Sequence, residues 1–293
     1  MNKSIICFGE TVWDAMPRAL YLGGAPFNVA AHLTKHNVPA CMVSRIGDDV
    51  LGHEVLRNMK YFGMDIGLIQ MDAKLPTGFV LVELTDGHPS YEILEPSAWD
   101  EIAWTHELQE TVSKSRALIY GTLSQRGETT RETLHKLWET PCVKVFDINL
   151  RPPFISQKIV EASLVAANIV KANDEEFNSL KKWFDLPEED NAAMEALADT
   201  FQCHTVCITR GAEGSILLNH GRFVEQPVYS VDVVDTVGAG DAFLASLTAG
   251  LLDGDREEDV MQRAGKVAAF VASQKGAVPD YKISDVDNLA IVS

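Results

Sequence analysis

Short apolar runs recur along this chain, and between them lie longer stretches whose apolar positions return every three or four residues. Ser4-Ile5-Ile6-Cys7-Phe8-Gly9-Glu10 opens the series as a first core strand, and Ala40–Ile46, Arg116–Tyr120, Val143–Asp147, Ile169–Ala172 and Thr205–Thr209 continue it. Runs with so little polar alternation suit strands buried on both faces. The periodic stretches predict helices. Val50–Phe62 places Leu51, Val55, Met59 and Phe62 on one face, and Glu257–Gln274 does the same with Val260, Ala264, Val267 and Val271. Ala242–Leu252 aligns Phe243, Leu247 and Leu251, with Gly254 as a stop, and Val231, Val233 and Val234 before it suggest a strand end. Strands alternating with helices predict an α/β fold with a mostly parallel sheet covered by helices.

Two segments break the alternation. Phe79–Leu84 and Tyr91–Leu94 flank Asp86-Gly87, a hairpin signal. Val12–Leu22 has no helical period and reads as two more short strands. Four such strands make too small a sheet to bury two faces alone. They form either a decorated edge of the main sheet or a lid over a site.

Composition narrows the function classes. A chain of 293 residues holds one large α/β domain or two smaller ones. A formal net charge of −17 argues against nucleic acid or an anionic membrane as partner, and it makes any basic residue near a phosphate site count. No run has the length of a membrane span, and the first residues lack the basic-then-apolar pattern of a signal peptide. The five cysteines (Cys7, Cys41, Cys142, Cys203 and Cys207) contain no C-x-x-C and read as buried thiols, with Cys203 and Cys207 sharing one strand face. His32 and His36 stand four apart with no evident third ligand, so a solvated helix face is the expectation. Together these features predict a reducing, cytoplasmic setting.

The chemistry concentrates in Val234-Asp235-Thr236-Val237-Gly238-Ala239-Gly240-Asp241-Ala242-Phe243. Small residues ahead of a helix let backbone N–H groups face a ligand, and a helix N-terminus attracts phosphate. The segment is not a dinucleotide fingerprint, since Phe243 stands where a third glycine belongs, and no Gly-Lys-Ser/Thr follows. Asp241, in the first turn, either complements the helix dipole or takes a proton from an attacking hydroxyl. Further candidates sit where strands end and helices begin. Gly23-Gly24-Ala25-Pro26-Phe27-Asn28 allows close backbone approach, and Asn28 offers a donor and an acceptor. Asp14 taken alone reads as a surface turn residue, and Asp48 and Asp49 occupy a turn and an N-cap. Arg151, in Phe146-Asp147-Ile148-Asn149-Leu150-Arg151-Pro152, follows a strand end, where ligands of open α/β sheets gather. In Lys171-Ala172-Asn173-Asp174-Glu175-Glu176, Asn173 and Glu176 form a capping-box variant that glutamine at 176 could also close. Thr209-Arg210-Gly211-Ala212-Glu213-Gly214 is a strand-to-loop turn, and Gly276-Ala277 a helix stop.

Asp235–Phe243 resembles the C-terminal signature of the ribokinase-like (PfkB) carbohydrate kinases, and Gly23–Ala30 resembles their N-terminal signature. The likeness covers essentially the whole chain and is nearest to the family's bacterial fructokinases. It implies a three-layer αβα fold in a single domain, 1–293, with a β lid from about 11–24 and 76–98 that also offers a homodimer contact. It implies ATP as phosphate donor, Mg2+, and K+ beside Asp235. By the same likeness Asp241 is the general base, and Gly238, Ala239 and Gly240, with Val237, supply an anion hole. Asp14, Gly23, Gly24, Asn28 and Tyr91 hold the sugar, and Arg151 reaches the sugar or the moving phosphate. Lys171, Asn173, Thr209, Gly211, Gly214 and Gly276 serve the nucleotide, and Glu176 organises magnesium. The expected reaction is phosphorylation of the 6-hydroxyl of fructose. The rivals are a keto-deoxy sugar acid or nucleoside kinase of the same family, and a non-catalytic sugar-binding regulator. A sugar acid should recruit basic residues, and the sugar-side motifs offer few.

Overall fold

The computed structural model describes residues 4–16, 19–85, 88–286 and 289, with backbone alone over 82–85 and 88–91. The first apolar run forms β1 (Ile5–Phe8), buried along its whole length. β2 (Val12–Met16), β3 (Ala19–Gly23), β4 (Ala40–Gly47), β5 (Ile69–Asp72), β6 (Gly78–Thr85), β7 (His88–Ile93), β8 (Ala117–Tyr120), β9 (Val143–Asp147), β10 (Ile169–Asn173), β11 (Thr205–Thr209), β12 (Ser215–Asn219) and β13 (Arg222–Gln226) follow. Nine of them make one sheet in the order β13-β12-β11-β10-β9-β8-β1-β4-β5. It is parallel from β11 to β5, and the edge strands β12 and β13 run antiparallel.

Alternate side chains of the parallel strands enter two different cores, as the period of two requires. Ile6 and Phe8 pack with α3 (His106–Lys114), α4 (Glu128–Trp138), α5 (Gln157–Ala166), α6 (Asp174–Trp183) and α7 (Asp190–Phe201). Ile5 and Cys7 pack on the opposite face with α1 (Ala25–Lys35), α2 (Val50–Tyr61) and α8 (Ala239–Asp253). α9 (Glu257–Ala272) extends that layer over Cys207 and Leu217. A short α10 (Ile283–Val286) closes against α9. The three-layer αβα expectation is met.

The remaining strands form their own sheet, β3-β2-β6-β7, rather than an edge of the main one. The predicted turn at Asp86-Gly87 lies outside the described residues.

Three expectations are corrected. Val231, Val233 and Val234 form no strand: the segment runs past the end of α9, with Val234 and Asp235 both donating to the Ala272 carbonyl, and leaves Val233 65% exposed. Cys203 precedes β11 and packs with the α3–α7 layer while Cys207 faces α8 and α9, so the two thiols share no face. All five cysteines are free and buried. His32 is fully buried rather than solvated, because α1 lies between the sheet and the C-terminal segment. Burial likewise pulls His36 down to about 4.

Candidate active site

Chain order leaves β1 in opposite directions, to β4 and β5 on one side and to β8–β11 on the other. Ligands of open α/β sheets bind outside the strand ends at such a reversal. A cleft of about 1210 Å³ lies there. Glu10 enters it after β1, Arg151 after β9, Lys171 from β10 and Thr209 from β11. Val12, Asp14 and Val80 of the small sheet form a wall, and the start of α8 forms the floor.

The cradle is built by the helix start. Gly238 is the N-cap at φ 78, a conformation that favours glycine, and a Cβ there would lie 2.4 Å from the Ala277 carbonyl oxygen. Not all the amides of 237–240 are available. Val237 donates to Asp235 Oδ1 at 3.0 Å and Ala239 to the Thr236 carbonyl at 3.3 Å. The N–H groups of Gly238, Gly240 and Asp241 have no backbone acceptor among the described residues, so these three are the amides open to a ligand. Asp235 Oδ2 also accepts from Gly276 N at 3.0 Å. Asp235 and Gly276 therefore clamp the cradle to the C-terminal turn, and neither lines the cleft.

Asp241 is half-buried beside that cradle. Asn28 Nδ2 donates to its Oδ2 at 2.8 Å. Burial, then the charge of Asp147, raises the carboxyl to about 6 against the pull of Asn28, Lys171 and Arg151. A carboxylate near that value is well placed to accept a hydroxyl proton at neutral pH. Asn28 is fixed by α1, which Pro26 opens. One turn further on, His32 Nε2 lies 2.9 Å from the Ala277 carbonyl and Nδ1 lies 2.9 Å from the Tyr281 hydroxyl. A carbonyl only accepts, so Nε2 carries the proton and Nδ1 accepts from tyrosine. α1 thus holds both the candidate base and the turn that backs the cradle.

Beneath the cradle, Lys171 Nζ donates to Asp147 Oδ1 at 3.0 Å, both side chains buried. Burial opposes the lysine charge, but Asp147 and Glu176 outweigh it and hold the group at about 12. Asn173 and Glu176 form the expected capping box. Glu176 does more than cap: Oε2 accepts from Asn173 N at 2.9 Å, and Oε1 from Leu150 N at 3.0 Å. Glutamine therefore cannot replace it freely, because its amide would face one of two backbone donors. Glu176→Gln should cost about 1–3 kcal/mol in denaturant unfolding, the usual penalty for a stranded buried donor. Unchanged stability would show that the loop at Leu150 adapts.

Asp14 lines the cleft, and burial raises it to about 6 against the nearby Arg151 charge. Gly23 does not line the cleft; a Cβ there would lie 2.7 Å from Asp14 Oδ2. Gly24 does, at φ 106, where a Cβ would lie 2.5 Å from the Glu10 carbonyl oxygen. Arg151 is exposed and donates to the Leu150 carbonyl. Asn173, Gly211 and Gly214 line the cleft beyond Lys171. The Tyr91 side chain lies outside the described residues. Asp49 caps α2 and Asp48 faces His53, so that turn is structural. Two members went unread in the sequence. Asp147 is the buried partner of Lys171, and Glu10 is a buried carboxyl in the cleft. Each closely follows or ends a core strand, the position that marked Arg151.

Among the described residues no group of three or more His, Cys, Asp or Glu is placed to hold a metal ion. A magnesium ion bound chiefly by substrate phosphates needs only one or two carboxylates, a demand that Glu176 at the cleft wall fits.

The likeness to known proteins agrees with this geometry. The family model described as pfkB family carbohydrate kinase matches residues 2–283. A fructokinase of Rhizobium leguminosarum bv. trifolii is 31% identical over 84% of this chain and 79% of its own length. A 2-dehydro-3-deoxygalactonokinase of Haloferax volcanii is 24% identical over 94% and 93%. The crystal structure of an uncharacterised sugar kinase from Pyrococcus horikoshii in complex with ATP superposes with a TM-score of 0.79 at 26% identity, covering 96% of each chain. With its ribokinase-like fold and matched signatures, this chain belongs to the PfkB family of carbohydrate kinases and is a sugar kinase phosphotransferase.

Proposed function

We propose that the chain transfers the γ-phosphoryl group of ATP to the 6-hydroxyl of fructose. The observation that carries this reading is the half-buried Asp241 carboxylate at the N-terminus of α8, raised to about 6 and bonded to Asn28 beside three amides with no backbone acceptor among the described residues. The fructokinase relative and the ATP complex of the similar Pyrococcus kinase support the acceptor and the donor. The sugar lies between the small sheet and Asp14, Gly24 and Asn28. Asp241 takes the 6-hydroxyl proton as that oxygen attacks the γ-phosphorus. The bond to the bridging β-phosphate oxygen breaks, and ADP leaves. The amides of Gly238, Gly240 and Asp241 receive the charge that develops on the transferring group, with Arg151 alongside. Lys171, by its positive field, and Asn173, Thr209, Gly211 and Gly214 serve the nucleotide end. Bound on the phosphates near Glu176, Mg2+ supplies charge neutralisation.

The small sheet acts as a lid on a single domain spanning 1–293, excluding water that would compete as nucleophile. Its outer residues Leu20 and Tyr21 are exposed and suit a homodimer contact. Five buried free thiols suit a cytoplasmic setting.

An uncharged polyol needs hydroxyl acceptors, and sites built to bond hydroxyls reject analogues by up to roughly 10⁴-fold. Fructose should therefore show the highest kcat/KM in a panel with glucose, ribose, adenosine and 2-keto-3-deoxygluconate at saturating Mg-ATP. Asp14→Ala should lower kcat/KM for fructose about 10²-fold while KM for ATP stays within twofold. Another acceptor outrunning fructose overturns the sugar assignment. No phosphorylation of any acceptor points to a sugar-binding regulator.

A further inference from the structure

Glu10 is a buried titratable group of the cleft that the mechanism above leaves unused. It follows β1, is 3% exposed, and lines the cleft. Its backbone carbonyl presses on Gly24, where no side chain fits. The backbone N–H groups of Glu10 itself and of Ala25 pull the carboxyl down, yet Oε2 has no hydrogen-bond partner among the described residues. A buried polar atom without a partner is uncommon and calls for one. The charges of Arg151 and Asp241 both reach this carboxyl, which places it at the sugar end of the cleft with Asp14. Burial raises it to about 7 against the pull of its own backbone N–H and of Arg151.

We propose that Glu10 is a specificity-determining residue: Oε2 accepts a hydroxyl hydrogen of the acceptor sugar, and its charge, added to those of Asp14 and Asp241, excludes acceptors that carry a carboxylate. Three carboxyl groups then face the acceptor against one exposed arginine. A neutral polyol offers hydrogens to all three. A sugar acid brings a fourth negative charge into a site where burial already disfavours charge. The proposal rests on the acceptor being an uncharged sugar, and it adds the residue that enforces that choice.

Glu10→Gln tests it. The amide keeps the shape and one oxygen for the backbone donors, but its NH2 group cannot accept a hydroxyl hydrogen. At pH 8, KM for fructose should rise about tenfold or more while KM for ATP stays within twofold. The ratio of kcat/KM for fructose to that for 2-keto-3-deoxygluconate should fall about tenfold. Glu10→Asp keeps the charge but withdraws it by one methylene, so it should restore that ratio while KM for fructose stays high. Unchanged KM for fructose in both variants, or KM for ATP rising in parallel, overturns the role of Glu10 alone. A wild-type panel led by another uncharged sugar overturns the fructose assignment alone, and the Glu10 comparison is then made with that sugar. A wild-type panel led by the sugar acid overturns both.

Discussion

Asp241→Asn should lower kcat by about 10²–10⁴-fold, the usual loss when a general base is removed. Asparagine keeps the shape and can still accept from Asn28, so the fold should survive. The wild-type pH profile carries the same signature. Asp241 must be ionised to take a proton, and its carboxyl is raised to about 6, so kcat should climb as pH rises through 6 and then level off. Stability should move the opposite way. A carboxyl whose native value lies above its unfolded value, about 4, stabilises the native state in its protonated form. That contribution is full below pH 4 and is lost as pH rises through 6. Asp241→Asn removes the charge, so thermal unfolding at pH 8 should occur at a higher temperature than in the wild type, with the gap narrowing below pH 4. A variant with near wild-type kcat would refute Asp241 as base. A lower unfolding temperature at pH 8 would show that the ionised carboxylate is structurally required.

Lys171→Met should be the most destabilising change at the site. Methionine fills a similar volume but leaves Asp147 buried without its cation. Removing one member of a buried pair costs about 3–5 kcal/mol because the other charge remains. The lysine also lowers the Asp241 carboxyl, so its loss should move the rise in kcat to a pH above 6. Denaturant unfolding at pH 7 and a kcat profile from pH 5 to 9 separate the two effects. Stability within 1 kcal/mol of the wild type, with an unmoved profile, would show that the pair is solvated and the lysine dispensable.

The parallel sheet was legible because strands buried on both faces leave uninterrupted apolar runs, as in Ile5–Phe8 and Ala117–Tyr120. The edge strands β13 and β5 were not, since most of their positions are partly or fully exposed and the runs less uniform, whereas the buried run of β12 is short and bounded by Ser215 and Asn219. Val231 and Val233 show the converse error: β-branched residues line a cleft wall instead of a strand. At the site, motifs located Asp241, Asn28, Lys171 and Glu176, all of which line the cleft. What the motifs could not give was the direction of each polar atom. The amide of Val237 was read as facing a ligand and faces Asp235. His32 was read as solvated and is enclosed by Ala277 and Tyr281, more than two hundred residues away in sequence. Partners that distant leave no local pattern.

Those long separations bear on how a newly made chain becomes active. Asn28 meets Asp241 across 213 positions, and His32 meets Tyr281 across 249. α1 is synthesised before the groups it must grip, which follow it by more than two hundred residues. The cradle cannot be backed until Ala277 is in place against Gly238. A nascent polypeptide held short of that point carries most of its sheet yet has no finished catalytic centre. Closing contacts of such high order comes late and slowly in folding. Phosphoryl transfer is thereby withheld until α1 has met those distant segments.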